Sequence, residues 1–298
     1  MKVLILGATG FIGFPAAQAL VRAGHTVYGL ARTPAKAKLL AAEEIIPIQG
    51  DIDSDAWIHL IPKLDAIIEA VGGSDVKVLS YNTLERVTKA VQATRPEGAP
   101  LLAYIYTSGT WVHGDSRTDV VTDTTPVYNP VKLVTWRPEL EQLIVRSSVV
   151  NGIVIRPALL YGRGGSILAG LFKSASQGRV AWPGTPGGRY SVIHPDDLAD
   201  LYFRVTEKAA LIRGMIFDAA NPNTESVDEL LGKLVEVSGA KGPYEYTKPT
   251  NLFEEALATS GLVRPYLANA LLGWSTKKPG LTEDLAHYYA AWLASEST

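Results

Sequence analysis

The sequence contains no cysteine. That excludes a disulfide framework, a thiolate nucleophile and any cysteine-ligated zinc or iron–sulfur site. It also lacks charge of one sign: 28 basic residues face 30 acidic ones, with no long run of either. The electrostatic footprint of a nucleic-acid binder is therefore missing, and a small-molecule partner is the expectation. Long apolar runs are absent too. Val3 to Leu6 stops at Gly7, too short for a signal-peptide core or a membrane span, and reads as a buried strand of a cytoplasmic protein. Histidine is scarce. His25, His59 and His287 fall in a turn and two helical patterns without metal-ligand spacing, so no metal is expected.

What the chain has is apolar mass: 47% of its 298 residues are hydrophobic and 19% charged, enough for one large core or a core with a smaller lobe. Apolar runs of strand length alternate with helical patterns through the first half. Val3 to Leu6, Val27 to Ala31, Ile45 to Ile48, Ala66 to Ala70, Leu102 to Thr107 and Gly152 to Arg156 read as strands, and Phe11 to Ala23 as the first helix. This rhythm predicts βαβ units and an α/β, Rossmann-type, doubly wound parallel sheet. Strands apolar on both faces are covered by helices on both sides. After Arg156 come Gly/Pro-rich loops at Gly162 to Gly165 and Trp182 to Gly188, then helices at Asp196 to Lys208, Val227 to Ser238 and Leu281 to Ala294. The expectation is one domain over 1–298, with a smaller C-terminal substrate lobe interleaved, mainly 162–190 and 240–298.

Gly7-Ala8-Thr9-Gly10-Phe11-Ile12-Gly13 follows a strand and opens a helix. Glycines in that context permit a tight turn and close approach of a pyrophosphate, while the helix N-terminus supplies free N–H groups. An NAD site wants a carboxylate at the end of the second strand for the adenosine ribose. Gly29-Leu30-Ala31-Arg32 has none. Arg32 is placed to pair bidentately with a 2′-phosphate, and Lys36 adds a second charge if Thr33-Pro34 starts a helix. That chemistry selects NADP(H).

These glycines, together with Gly50-Asp51-Ile52, Ala70-Val71-Gly72, Tyr106-Thr107-Ser108, Arg156-Pro157-Ala158-Leu159-Leu160-Tyr161-Gly162 and His194-Pro195-Asp196-Asp197, appear in an order that resembles the extended and atypical short-chain dehydrogenase/reductases. More narrowly the chain resembles the NAD-dependent epimerase/dehydratase group. The resemblance implies that Asp51 and Ile52 bracket the adenine, Ala70 to Gly72 pass under the cofactor, and Pro157, Ala158 and Leu159 flank the nicotinamide. Each of these lies at the carboxyl end of a strand, where open α/β sheets bind ligands. His194 to Asp197 reads as architectural, with a helix starting at Asp196 or Asp197.

The family's catalytic set is a Ser/Thr and a Tyr-x-x-x-Lys. Tyr128-Asn129-Pro130-Val131-Lys132 matches that string, although Pro130 interrupts the helix that should carry both residues on one face. A second register, anchored on Glu141, places Leu133 at the Tyr position and Arg137 at the Lys position, where an arginine still binds ribose or phosphate. Val112-His113-Gly114 likewise puts Gly109 at the Ser/Thr position between Ser108 and Thr110. Ser108, Thr110, Tyr128 and Lys132 are the catalytic candidates, with His113 and Tyr161 as further acid–base groups and Trp111, Trp136 and Trp182 as apolar walls. Nucleotide-sugar enzymes of this family set a basic residue before the His-Val-Asp-Asp segment, and here Tyr190 stands there with Arg189 one place away. The resemblance therefore implies an NADP(H)-dependent oxidoreductase on a small uncharged carbonyl or alcohol compound, monomeric or homodimeric. Two alternatives stay open: an epimerase, isomerase or lyase on the same scaffold, and a nonenzymatic dinucleotide-binding redox sensor.

Overall fold

The computed structural model describes residues 1–164 and 166–296. Gly165, counted above in the first glycine-rich loop, and residues 297–298 of the expected domain lie outside the described residues. Seven strands form the central sheet: β1 (Lys2–Leu6), β2 (Thr26–Ala31), β3 (Ile46–Gln49), β4 (Ala66–Glu69), β5 (Ala103–Thr107), β6 (Asn151–Pro157) and β7 (Ile216–Ala219). Their order is β7-β6-β5-β4-β1-β2-β3, and the pairs from β3 to β6 are parallel. Between them run α1 (Gly13–Arg22), α2 (Pro34–Ala42), α3 (Val76–Thr94) and α4 (Arg137–Val145). The Rossmann-type α/β fold is thus as the sequence reading has it.

Strand limits differ from the apolar runs by at most one residue at each end, as element ends do. Strand β7 escaped the reading because it is four residues long and carries Asp218 at a fully buried position. The last helix, α10, runs Leu285–Glu296 and not from Leu281. Helix starts obey local chemistry. Thr33 caps α2 by accepting from the Lys36 amide, with Pro34 in the first turn, and Ser226 caps α7 (Val227–Ser238) in the same way through Glu229. Gly239 at φ +69° then stops α7 in the left-handed region that glycine tolerates.

Residue contacts divide the chain into two compact units. One comprises Met1–Ser108, Trp136–Arg156 and Leu198–Phe217. Its core packs Leu4, Leu6, Ile67, Tyr104 and Val154 of the sheet against Trp57, Val87, Leu140 and Ile144. The other comprises Gly109–Thr135, Pro157–Asp197 and Asp218–Thr298, with its own core of Tyr161, Phe172, Trp182, Leu231, Leu285 and Trp292. Among the described residues no helix is long and apolar enough to cross a membrane.

Candidate functional site

The turn after β1 is built by three glycines with distinct duties. Gly7 sits at φ +89°, and a Cβ there would lie 2.4 Å from the Ala70 carbonyl oxygen. The Gly10 amide donates to Gly7 O at 2.9 Å and closes the turn. A Cβ on Gly13 would meet the same Gly7 oxygen at 2.2 Å, so α1 can start this close to β1 only with glycine there. No side chain caps α1 and no acidic residue stands in its first turn. In that turn Pro15 has no N–H and the Phe14 amide donates to Gly10 O at 3.0 Å, which leaves the Gly13 amide for an anion.

This turn borders an open cavity of about 400 Å³. Of the expected cofactor residues, Gly7, Thr9, Gly10, Phe11, Ile12, Arg32, Asp51, Ile52, Ala70, Val71, Gly72 and Thr107 line it together. Leu30 and Leu79 line it as well, neither of them a motif residue. Gly13, Lys36, Arg137, Pro157, Ala158 and Leu159 are not among the lining residues. Gly13 acts through the turn. Lys36 is exposed on α2, and Arg137 stands behind Thr107. Pro157 ends β6, and the Ala158 amide donates to Ala219 O in the second unit.

Arg32 follows the last residue of β2, is exposed, and forms no hydrogen bond or ion pair among the described residues. The loop after β3 is fixed from within and from α3. Asp51 Oδ1 accepts from the Ile52 amide at 2.6 Å, and Arg86 donates to Ile52 O at 2.7 Å, to Ser54 O and to Asp55. Sequence reasoning missed Arg86, which belongs to no motif and reaches the loop from more than thirty positions away.

Behind the cavity lies a buried polar network of the same unit. Arg137 Nη1 donates to Tyr106 OH at 2.8 Å and to Thr107 O at 3.0 Å, and its guanidinium lies 4.7 Å over the Trp136 ring. The Thr107 and Tyr202 hydroxyls bond at 2.6 Å. Glu69 accepts from Ser80 and Tyr104, and burial pushes its pKa up to about 7 against the pull of those two bonds and of the Arg137 charge. One turn on from Arg137, Glu141 holds Arg156 in a buried fork, Nε to Oε1 at 3.0 Å and Nη2 to Oε2 at 2.6 Å. Glu69 and Tyr104 carry no sequence signature, and only the pairing of β4 with β5 brings their side chains together. Arg156 heads the motif at the end of β6, but nothing in that motif discloses its pairing with Glu141.

The structure does not assemble the Tyr-x-x-x-Lys pair. Tyr128 lies in an irregular segment and is 87% exposed. Lys132 opens the short 3-10 turn Lys132–Val134, and its Nζ pairs with Glu255 Oε2 at 3.0 Å. Pro130 prevents the two from sharing a helix. In the second register Leu133 and Arg137 also fall on separate elements.

Ser108 follows Thr107 at the end of β5. Its amide donates to Ile155 O, and its Oγ is buried without a partner among the described residues. Thr110 and His113 occupy the 3-10 turn Thr110–His113 of the second unit. There His113 Nε2 bonds Asp218 Oδ2 at 2.8 Å, and Nδ1 is buried without a partner. Tyr161 is committed elsewhere: its hydroxyl donates to Pro279 O, accepts from Asn221, and burial raises its pKa. Trp111 meets Phe253 edge-on at 6.2 Å, while Trp182 is buried against Tyr190. Helix α6 (Pro195–Glu207) does begin at the His194 segment, and the Asp197 carboxylate holds the Lys277 and Lys278 amides. The Gly184 to Gly188 loop is tied by Gly187 N to Asp228 Oδ2.

Comparison with known proteins adds three findings. A profile described as the NAD dependent epimerase/dehydratase family matches residues 3–219. The 2-alkyl-3-oxoalkanoate reductase of Stenotrophomonas maltophilia is 24% identical over 257 residues, covering 80% of this chain and 76% of that protein. Two solved structures share the fold. The dTDP-glucose 4,6-dehydratase of Bacillus anthracis in complex with NAD has a TM-score of 0.79 at 15% identity, over 100% of this chain and 98% of that one. The human epimerase family protein SDR39U1 with NADPH has a TM-score of 0.72 at 19% identity, over 97% and 99%.

Proposed function

Because the chain belongs to the NAD-dependent epimerase/dehydratase family, whose cofactor is a nicotinamide dinucleotide, we propose that it is an NADP(H)-dependent reductase or dehydrogenase acting on a small, uncharged carbonyl or alcohol compound. The observation that carries the cofactor choice is Arg32: an exposed guanidinium that lines the dinucleotide cavity and has no ion pair among the described residues. No carboxylate stands at the end of β2 to receive a ribose hydroxyl. A 2′-phosphate supplies the partner that Arg32 lacks.

The residues present fit the cofactor. The glycine turn and the uncapped start of α1 take the pyrophosphate, Asp51 and Ile52 border the adenine end, and Ala70 to Gly72 form the floor. Gly72 leaves open space where a Cβ would stand. The bound nicotinamide supplies hydride exchange with the substrate carbon. The protein contributes a hydroxyl: the unpartnered Oγ of Ser108, one residue beyond Thr107 of the cavity wall, donates to the substrate oxygen and orients it. Reduction of oxo compounds is what the Stenotrophomonas relative's name states, which favours a carbonyl substrate here.

The test is binding and turnover with both dinucleotides. NADPH should bind more tightly than NADH. Arg32→Ala should remove about ten-fold to a hundred-fold of that preference, since a charge-assisted contact contributes about 1.5 to 3 kcal/mol. NADPH oxidation, followed by absorbance against a panel of aliphatic, aromatic and terpenoid aldehydes and ketones, should find a substrate. Equal affinities in the wild type, with interconversion of nucleotide sugars and no carbonyl reduction, would overturn the reading.

A further inference from the structure

Glu69 ends β4, one residue before Ala70 of the cavity floor, and is 1% exposed. A carboxyl at a strand position otherwise filled by Ala66, Ile67 and Ile68 costs stability unless it is used. It forms no ion pair among the described residues. Instead it heads a chain of hydroxyls. Oε2 accepts from Tyr104 OH, Oε1 accepts from Ser80 Oγ of α3, and Glu69 stands opposite Tyr106 in the β4–β5 register. Tyr106 in turn accepts from Arg137, whose second bond braces the Thr107 carbonyl at the cavity wall.

The ionisable groups around Glu69 are few. Strand β5 brings Tyr104 and Tyr106, both held protonated by burial. From α4 comes Arg137, with Glu141 beyond it neutralised by Arg156 of β6. Helix α3 presents the Ser80 hydroxyl, and β1 pairs with Glu69 through Leu6.

We propose that Glu69 is a positioning residue of the dinucleotide cavity that makes binding proton-linked, taking up a proton when the anionic cofactor enters and releasing it when the cofactor leaves. The inference rests on the dinucleotide reading above. A pyrophosphate on a turn whose Gly7 packs against Ala70 places negative charge beside a buried carboxyl, where the low dielectric transmits repulsion. The proton comes from solvent. Once protonated, Glu69 donates from one oxygen, so the Tyr104 or Ser80 hydroxyl at that oxygen turns from donor to acceptor. Loss of the carboxylate charge also removes its attraction for Arg137, which braces the Thr107 carbonyl.

Isothermal titration of the whole protein with NADPH, in two buffers of different ionisation enthalpy, counts the protons. If the cofactor's charge raises the carboxyl's affinity for protons about tenfold, the wild type takes up about 0.4 proton per site at pH 7, and affinity falls about fivefold from pH 6 to 8. The same titration with NADH excludes the 2′-phosphate, which titrates on its own account near pH 6. Glu69→Gln should bind both dinucleotides with that uptake lost and a flat profile. Tyr104→Phe, which removes a bond favouring the carboxylate, should keep the uptake and move its midpoint to higher pH. A folded Glu69→Gln protein with wild-type uptake overturns the proposal. Should Glu69→Gln fail to fold, an unmoved midpoint in Tyr104→Phe overturns it. A wild type that binds neither dinucleotide overturns the cofactor reading itself, a separate result from binding without proton uptake.

Discussion

Gly10 and Gly13 make different demands on the same turn. A Cβ on Gly10 meets only Gly7 O, at 3.2 Å, so the fold accepts a side chain there while the pyrophosphate does not. Gly10→Val is expected to keep its melting temperature within a few degrees and lose NADPH affinity about a hundredfold or more. Gly13→Ala pushes a methyl to 2.2 Å from a backbone oxygen and should lower the melting temperature itself. Melts beside binding isotherms separate the two. The exposed Tyr128 supports a third outcome: Tyr128→Phe should leave kcat within about twofold, where loss of a general acid would cost on the order of 10² to 10⁴. Steady-state turnover, once a substrate is found, checks it. At this scale the sequence pointed to local motif residues, such as the glycines, Arg32 and the Asp51-Ile52 pair, that the structure gathers around one cavity. Glu69 and Arg86 stayed hidden because their partners lie on other elements, eleven to thirty-five positions away.

Among elements, the six apolar strands were legible because burial on both faces requires continuous hydrophobic runs. Strand β7 was not, since Asp218 breaks its run to meet His113 with its side chain, while its amide donates to the Asp123 carboxylate. The Tyr128–Lys132 spacing misled for the converse reason: the string is right and the helix beneath it is absent. Helix α4 did show its Glu141, and the structure supplies the partner. Glu141→Ala removes a buried carboxylate partner of the Arg156 guanidinium and is expected to cost about 3 to 5 kcal/mol in urea unfolding. A Glu141→Leu, Arg156→Met double variant removes both charges and should recover most of that loss. If the double variant is no more stable than Glu141→Ala, the pair is not what holds α4 to β6.

For the whole molecule, two buried groups set opposite pH dependences of stability. Glu69 keeps its proton to about pH 7 in the fold but releases it near 4.5 when unfolded. The folded state then binds more protons across that window, and stability falls as pH rises through it, by about 3 kcal/mol in all. His194, whose pKa burial lowers from 6.5 to about 4 in the fold, runs the other way. Its unfolded imidazole charges first, so stability falls as pH drops from 6.5 toward 4, by a similar amount. Glu69 lies in the first compact unit and His194 in the second, so the two slopes add where one unfolding transition reports both. Between pH 4.5 and 6.5 their slopes oppose and nearly cancel. The wild type should therefore gain or lose little in that range on their account, while each single substitution uncovers the other slope. Relative to wild type, Glu69→Gln should grow more stable with rising pH, by about 1.4 kcal/mol per unit, and His194→Gln less stable by the same amount. Urea midpoints for the three proteins at half-unit steps from pH 4.5 to 7.5 measure these differences, from which every other titrating group drops out. Parallel profiles for wild type and Glu69→Gln would mean that the carboxyl is already ionised in the folded protein, and would remove the proton that the cofactor site is proposed to use.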